Sequence, residues 1–141
     1  MPSSAFGTLL KIGDGGGSEV FTTIAEVTDI TGPGLTLETL DTLSHSSSGG
    51  WRERIPTFLD GGEVSFEINY DPSAATHNNT TGLVRDLRTR TKRNFQLVFP
   101  TAGNPTWAFP AYVTNFEPGA PADGMLTASV TLMVSGPPTL V

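Results

Sequence analysis

The sequence predicts a mainly β fold, a β-sandwich or barrel flanked by one α-helix, in a single domain over residues 1–141. Turn-forming residues are frequent, with 16 Gly and 11 Pro. Most apolar segments alternate with polar residues at a period of two, and only one segment has helical spacing. An apolar fraction of 37% in 141 residues is enough for one ordinary core.

The predicted strands are short and rich in β-branched residues. The first three are "GTLLKIG", "EVFTTIAEVTDI" and, after a "GPG" turn, "LTLETL". In the clearest strand, "EVSFEINY", alternate apolar residues share one face: Val64, Phe66, Ile68 and Tyr70. Three more strands are predicted at "NFQLVF", "TWAFPAYVTNF" and "MLTASVTLMV". Pro110 in the penultimate strand predicts a bulge or an edge, because proline cannot donate to the ladder.

One helix is predicted over about residues 80–90, after the strand "EVSFEINY". Its first turn would be capped by Asn79, Thr80 or Thr81. Helical spacing places an apolar side against the sheet, formed by Leu83, Val84 and Leu87. The polar residues of the same segment are expected away from that side: Arg85, Asp86 and Arg88.

The charge balance limits the classes of partner. The net charge is −6, from 14 acidic and 8 basic residues, so a phosphate-neutralising face for nucleic acid is not expected. The start "MPSSAFGTLLKIG" has no basic region and only a very short apolar run, unlike a signal peptide. No stretch approaches a membrane span, and there is no Cys to indicate an oxidising compartment. These features predict a protein made in the cytoplasm that does not bind membranes.

Residues suited to catalysis or metal binding are poorly placed. His45 lies among Ser44, Ser46, Ser47 and Ser48, but a triad needs a third group on rigid structure to orient the base. His77 is interpreted as a turn residue before the helix. Neither histidine has a second ligand at i+2 or i+4, so no metal site is predicted. "GDGGGS" lacks the Lys and the helix of a phosphate-binding loop. The sequence therefore predicts no enzyme, no metal and no cofactor.

A long inter-strand loop is predicted over about residues 41–61. Loops of this length inside compact domains are usually functional or disordered. Drawn out as a hairpin, it would project on the order of 30 Å from the body. Its Trp and Arg are residue types enriched at interface hot spots. The candidate subunit-interface residues in this loop are Trp51, Arg52, Arg54, Ile55 and Phe58. The alternative is that Trp51 folds back onto its own domain as a lid over the core.

A basic cluster follows the predicted helix and holds five of the eight bases: Arg85, Arg88, Arg90, Lys92 and Arg93. Nucleic-acid binding is disfavoured because no aromatic residue interleaves with the cluster. A solvated helix end, where cations suit the helix dipole, is one alternative. The other is that the cluster pairs with an acidic face of a neighbouring copy, as in the heterologous contacts that form rings.

The order of the segments resembles the major tail tube proteins of long-tailed bacteriophages, in particular the lambda type. "IAEVTDITGPGLTLETLD" is similar to the "V.DLTPGELTAES.D" segment that precedes a long loop in that family. "GGEVSFEINYDP", "FQLVFP" and the final "SGPP" are similar to its "GD.SF.L...P", "Y.I.FP" and "G.P" motifs. The resemblance covers roughly residues 20–138, and the order and spacing of the motifs carry it.

This resemblance implies a subunit that assembles into hexameric rings, stacked into a hollow tube through which the genome is ejected. It implies as partners further copies of the chain, a tape measure protein, and tail tip and terminator proteins. The resemblance implies that the protein is located in the virion tail, after assembly in the host cytoplasm. It also implies that the long loop and the N-terminal segment order on assembly and bridge adjacent rings.

A lumen lined by carboxylates would let DNA slide without binding, because it repels the phosphate backbone. The candidate lumen residues are Glu63, Glu67 and Glu38. The wider set of acidic residues that the sequence leaves open also includes Glu26, Asp29 and Glu117. Two alternative functions stay open. A tail terminator or distal tail protein would share the fold but form single rings. A carbohydrate-binding β-sandwich would present exposed aromatics, for which Trp51, Trp107 and Tyr112 are available.

Overall fold

A computed structural model describes residues 4–14, 18–42 and 48–139. Within these ranges the chain forms nine strands and one α-helix. The strands are β1 Leu9–Gly13, β2 Phe21–Thr23, β3 Val27–Thr31, β4 Thr36–Asp41, β5 Arg54–Asp60, β6 Glu63–Asn69, β7 Lys92–Val98, β8 Thr106–Gly119 and β9 Thr127–Val134. The helix, α1, is Leu83–Thr89. His45 and the serines at 44, 46 and 47 lie outside the described residues, as do the glycines at 15, 16 and 17 of "GDGGGS".

Seven strands form one antiparallel sheet in the order β2-β1-β7-β8-β9-β6-β3, and β4 and β5 form a separate hairpin. The sheet curls, so that the N-terminal segment ahead of β1 faces β3 across a cleft lined by residues 5–8 and 27–30. The mainly β class with one flanking helix is therefore confirmed. No helix among the described residues is long and apolar enough to cross a membrane.

The core lies on the concave face of the sheet and follows the predicted alternation. In β6, Val64, Phe66 and Ile68 are buried and the residues between them are exposed. Each of the three lies opposite a buried partner in β9, namely Leu132, Val130 and Ala128. Phe95 of β7 and Phe109 of β8 stack with ring centroids 6.0 Å apart. The period of two thus produces one continuous apolar face.

The helix is shorter than predicted and begins differently. Its N-cap is Gly82, which makes no side-chain cap hydrogen bond, so capping by Asn79, Thr80 or Thr81 is wrong. Instead, Asn78 holds the preceding turn, where its Oδ1 accepts hydrogen bonds from the N–H groups of residues 80, 81 and 82. The helix ends at Thr89, and its C-cap, Arg90, has a left-handed φ of 57°.

His77 lies in the turn before the helix, where the sequence predicted it, and is completely buried. Its Nε2 donates to the carbonyl oxygen of Ala25 at 2.6 Å, and its Nδ1 accepts from the N–H of Asp71 at 3.2 Å. These two bonds fix the ring tautomer. His77 therefore ties the pre-helix turn to the segment before β3.

Two sequence expectations need correction. The predicted loop over 41–61 is largely regular structure, because residues 54–60 form β5 and pair with β4.

Pro110 causes neither a bulge nor an edge strand, since β8 is an inner strand and its register shift lies between Val113 and Asn115. The Pro110 carbonyl faces Ser135, just beyond the end of β9, so the missing N–H falls where that ladder has ended.

Candidate functional site

The convex face of the sheet carries a row of carboxylates across four strands. Asp29 of β3 pairs with Glu67 of β6, Glu67 pairs with Ser129 of β9, and Ser129 pairs with Glu117 of β8. Residues paired across antiparallel strands point to the same side, so these side chains share one surface. All four are exposed. We call Asp29, Glu63, Glu67 and Glu117 the acidic face.

Of the two neighbouring rows, one has short polar side chains and the other has long side chains of mixed character. One row runs Thr31, Ser65, Thr131 and Asn115, and the next runs Glu63, Met133, Tyr112 and Lys92. None of the strands β3, β6, β8 and β9 contains Lys or Arg. The acidic face therefore has no cation on its own strands, although Lys92 of the neighbouring β7 lies at the end of the row of Glu63.

Carboxylates directly opposite each other, such as Asp29 and Glu67, destabilise an antiparallel pair. No group of three or more His, Asp or Glu within the described ranges is arranged to hold a metal ion that could offset this repulsion. The carboxylates on these strands therefore give this surface a negative field.

The structure brings together two of the three predicted lumen residues. Glu63 and Glu67 are exposed on the convex side of β6. Glu38 lies on β4 in the separate hairpin, where its carbonyl accepts a hydrogen bond from the Thr57 hydroxyl. Asp29 and Glu117 belong to the wider set of acidic candidates that the sequence leaves open. Their positions depend on strand register, which a single sequence does not reveal.

The hairpin of β4 and β5 is exposed on both of its faces. Every residue of the two strands is exposed, and their main packing is against each other. Arg52 and Asp41 form an ion pair at 2.9 Å near the tip. Trp51 is 79% exposed and Phe58 is 77% exposed. The alternative of Trp51 as a lid over its own core is therefore wrong for the subunit.

The basic cluster is divided by the structure. Arg88 and Arg90 are exposed; Arg88 bonds to Asn79 at 2.9 Å, and neither has a carboxylate partner among the described residues. Lys92 is exposed at the start of β7. Arg85 lies 4.0 Å from Asp86. Arg88, Arg90 and Lys92 are the exposed part of the cluster, and Arg85 beside them is half-buried.

Arg93 instead points inward, with a side chain only 11% exposed. Its guanidinium lies 3.1 Å from the carboxylate of Asp86 and donates to the Gly13 carbonyl at 2.8 Å. It therefore joins α1 to β1 within the subunit. The alternation of β7 contained this information, because Arg93 has the same parity as the buried Phe95 and Leu97.

Asp86 is buried, although helical spacing predicts it on the side of α1 away from the sheet. Burial raises the pKa of its carboxyl, while the charges of Arg93 and Arg85 lower it by less. Neither carboxylate oxygen has an aligned hydrogen-bond donor among the described residues, so the contact with Arg93 is mainly ionic. The pair is a structural element of the body.

Comparison with known proteins identifies the family to which this chain belongs. The sequence profile described as "Lambda phage tail tube protein, TTP" matches residues 14–141. The chain belongs to this family. It is a structural, non-enzymatic component of a phage-type virion tail. A comparison with curated proteins found no match.

Solved structures share the tail tube fold. A chain from the tail of an empty gene transfer agent particle, refined with C6 symmetry, matches with 22% identity and a TM-score of 0.74 over 99% of both chains. The SPP1 tail tube matches with 12% identity and a TM-score of 0.63 over 92% of this chain and 73% of that chain. A sheath/tube terminator of the PVC contractile injection system matches with 12% identity and a TM-score of 0.68 over 96% and 94%.

Proposed function

We propose that this tail tube protein assembles into six-membered rings that stack into a hollow tube, with the acidic face lining the lumen through which the genome passes. The family supports the tube, and the six-fold symmetry of the gene transfer agent tail supports the ring size. The observation that carries the proposal is the row of Asp29, Glu67 and Glu117 across strands without Lys or Arg.

The acidic face suits passage of DNA because of simple electrostatics. Duplex DNA carries about one negative charge per 1.7 Å of its axis, and proteins that hold it neutralise those charges with Lys and Arg. A surface whose strands β3, β6, β8 and β9 carry carboxylates and hydroxyls but no Lys or Arg does the reverse. It stays wetted and repels phosphates, so the DNA slides without specific binding.

The hairpin supplies a subunit interface in this proposal. An isolated two-stranded hairpin is marginally stable in water, and this one exposes apolar side chains that its own body does not cover. Covering them with another copy stabilises both partners. The interface residues are those predicted from the sequence: Trp51, Arg52, Arg54, Ile55 and Phe58.

A second interface is formed by basic residues that reach the surface and pair with carboxylates of a neighbouring copy: Arg85, Arg88, Arg90 and Lys92. This assignment is supported by the absence of carboxylate partners for Arg88 and Arg90 within the described subunit. Arg93 belongs to the folded body and takes no part. Tape measure, tip and terminator proteins would complete the tail, which is assembled in the host cytoplasm.

One observation favours a second candidate, a tail terminator. The PVC sheath/tube terminator shares the fold along nearly the whole of both chains. A terminator would close the end of a tube as a single ring and would not polymerise.

Negative-stain electron microscopy of the purified chain across a concentration series separates the two functions. Long hollow tubes of constant width are expected from the tube proposal. Single rings at every concentration would favour the terminator.

Charge reversal tests the lumen assignment in assembled tubes. Tubes of Glu67→Lys/Glu117→Lys should retain short linear duplex DNA at low salt but should not retain a closed circular plasmid, which cannot thread into a tube. A Glu38→Lys variant is the matched control on the hairpin. Retention of both DNA forms by the double variant would place the acidic face outside the tube, and retention of neither would remove it from the DNA path.

A further inference from the structure

An apolar groove lies at the root of the hairpin, with a volume of about 550 Å³. We call it the base groove. Its lining comes from the hairpin root and from the segment after β9: Leu35, Thr36, Leu59, Asp60, Gly61, Val134, Gly136, Pro137 and Pro138. Only Thr36 and Asp60 contribute polar side chains, so the base groove is suited to a large apolar or aromatic group.

The base groove is preformed in the subunit. Gly62 has a φ of 70°, and a Cβ there would collide with the carbonyl of Gly34. The N–H of Gly62 donates to Asp60 Oδ1 at 2.9 Å, and its carbonyl accepts from the N–H of Val134 at 3.0 Å. These contacts fix the hairpin root against the end of β9, so an incoming side chain meets walls that are already in place.

The opposite end of the hairpin presents a matching group. Gly49 and Gly50 have left-handed φ values of 64° and 73°, and the Trp51 indole lies beside Gly49. We call residues 48–53 the hairpin tip, and it presents Trp51 at 79% exposure. Trp is among the residues most enriched at interface hot spots, where it fills desolvated pockets.

Trp51 cannot fill the base groove of its own chain. The β4–β5 ladder separates the tip from the root by roughly 23 Å, for seven residues at 3.3 Å each. A group at one end and a receptor at the other end of one hairpin are two different patches, and such pairs make heterologous contacts between copies.

Charge favours the same pairing. Arg54 near the tip has no carboxylate in ion-pair distance within the described subunit. Asp60 at the base groove likewise has no basic partner there, although its Oδ1 accepts from Gly62. A hairpin tip docked in a neighbour's base groove brings an arginine toward an aspartate.

We propose that the base groove receives the hairpin tip of a second copy of this chain, with Trp51 as the side chain that enters it. This rests on the proposed assembly and names the receptor for the hairpin. The docked indole would lie against Pro137 and Pro138, and Arg54 would approach Asp60 at the margin.

Cysteine cross-linking tests the docking, because the chain has no native cysteine. Glu53→Cys/Pro137→Cys places thiols beside the tip and the base groove and leaves Trp51 intact. Assembled tubes treated with a short bismaleimide should give a ladder of linked subunits on a denaturing gel. Glu53→Cys/Thr36→Cys uses the other wall of the base groove and should give the same ladder.

The matched control is Glu53→Cys/Ala122→Cys, since Ala122 lies in the turn at the far end of β9. Tubes that yield no ladder from either groove pair, or an equal ladder from the control, would overturn the docking while leaving the tube function standing. A ladder from Phe6→Cys/Pro137→Cys but not from the Glu53 pairs would make the N-terminal segment the occupant and also overturn it. If the parent chain forms no rings or tubes, the proposed function fails and the docking fails with it.

Discussion

Strands β5 and β6 are neighbours in the chain, have seven residues each, and yet have opposite surroundings. β6 alternates strictly between exposed and buried residues, whereas every residue of β5 is exposed. The sequence "EVSFEIN" puts its apolar side chains on one face, while "RIPTFLD" contains a proline and places Phe58 and Leu59 next to each other. The first strand completes a core within its own subunit, and the second needs another molecule to cover it.

The same residue type in both strands gives the largest expected contrast. Phe66→Ala in β6 should lower the free energy of unfolding of the unassembled subunit by about 3–5 kcal/mol, because it empties a buried site. Phe58→Ala in β5 should lower it by less than about 0.5 kcal/mol, because that ring is already in water. Urea denaturation measures both. Similar losses for the two variants would show that β5 packs on its own body.

The Asp86–Arg93 pair extends the contrast to charged residues. Arg93→Met should destabilise the subunit by roughly 3 kcal/mol at neutral pH, because it leaves a buried carboxylate without its counter-ion. Arg88→Met, at an exposed position of the same cluster, should change the stability by less than about 0.5 kcal/mol. Equal effects of the two changes would contradict the assignment of Arg93 to the folded body.

The pH dependence follows from the raised pKa of Asp86. The folded state holds this proton more tightly than the unfolded chain does, so the contribution of this group is fully present below the ordinary pKa of 3.8. It is lost as the pH rises through the higher folded value. The Arg93→Met deficit should therefore shrink on acidification, and Asp86→Asn/Arg93→Met should largely abolish that change. Thermal melts at several pH values would measure it, and a deficit independent of pH would argue against a buried carboxylate as the cause.

Trp51→Ala addresses assembly without touching the core. The subunit should keep its stability, while the concentration needed for tube formation should rise at least about 30-fold, as expected for a hot-spot loss of about 2 kcal/mol. Sedimentation of assembled tubes measures this, with circular dichroism as the check on folding. Normal assembly by a folded variant would remove Trp51 from the interface.

The sequence predicts the body well because each strand's apolar pattern is local. The faces of β6, β7 and β9 follow from a period of two, and the inward Arg93 follows the same parity. The buried Asp86 was assigned to the wrong side, because its partners come from β7 and its environment from tertiary packing. A helix face in a seven-residue segment is a weak guide to burial.

The candidate site was predicted in part for the same reason. Glu63 and Glu67 were found because both lie on the polar face of one strand. Asp29 and Glu117 join them only through pairing of strands far apart in sequence. The prediction of a loop over 41–61 was wrong, because "RIPTFLD" pairs with β4 although it lacks alternation. Every residue of this strand is nevertheless exposed.

The smallest expected effect is the change in the free energy of unfolding when one charge of the acidic face is removed. Glu67→Gln removes one charge next to Asp29 and keeps the shape of the side chain, so the subunit should gain up to about 0.5 kcal/mol at low salt. The gain should fade as salt is added, because exposed charges are screened. Glu53→Gln, on the hairpin, is the control and should give no comparable gain. A salt-dependent gain at Glu67 alone would mean that repulsion within the acidic face lowers the stability of the sheet. In the hairpin, by contrast, stability is lowered by the apolar side chains that await a partner. No gain at Glu67 would mean that the carboxylates lie far enough apart in water to coexist at no cost, and the case for the acidic face would then rest on DNA retention alone.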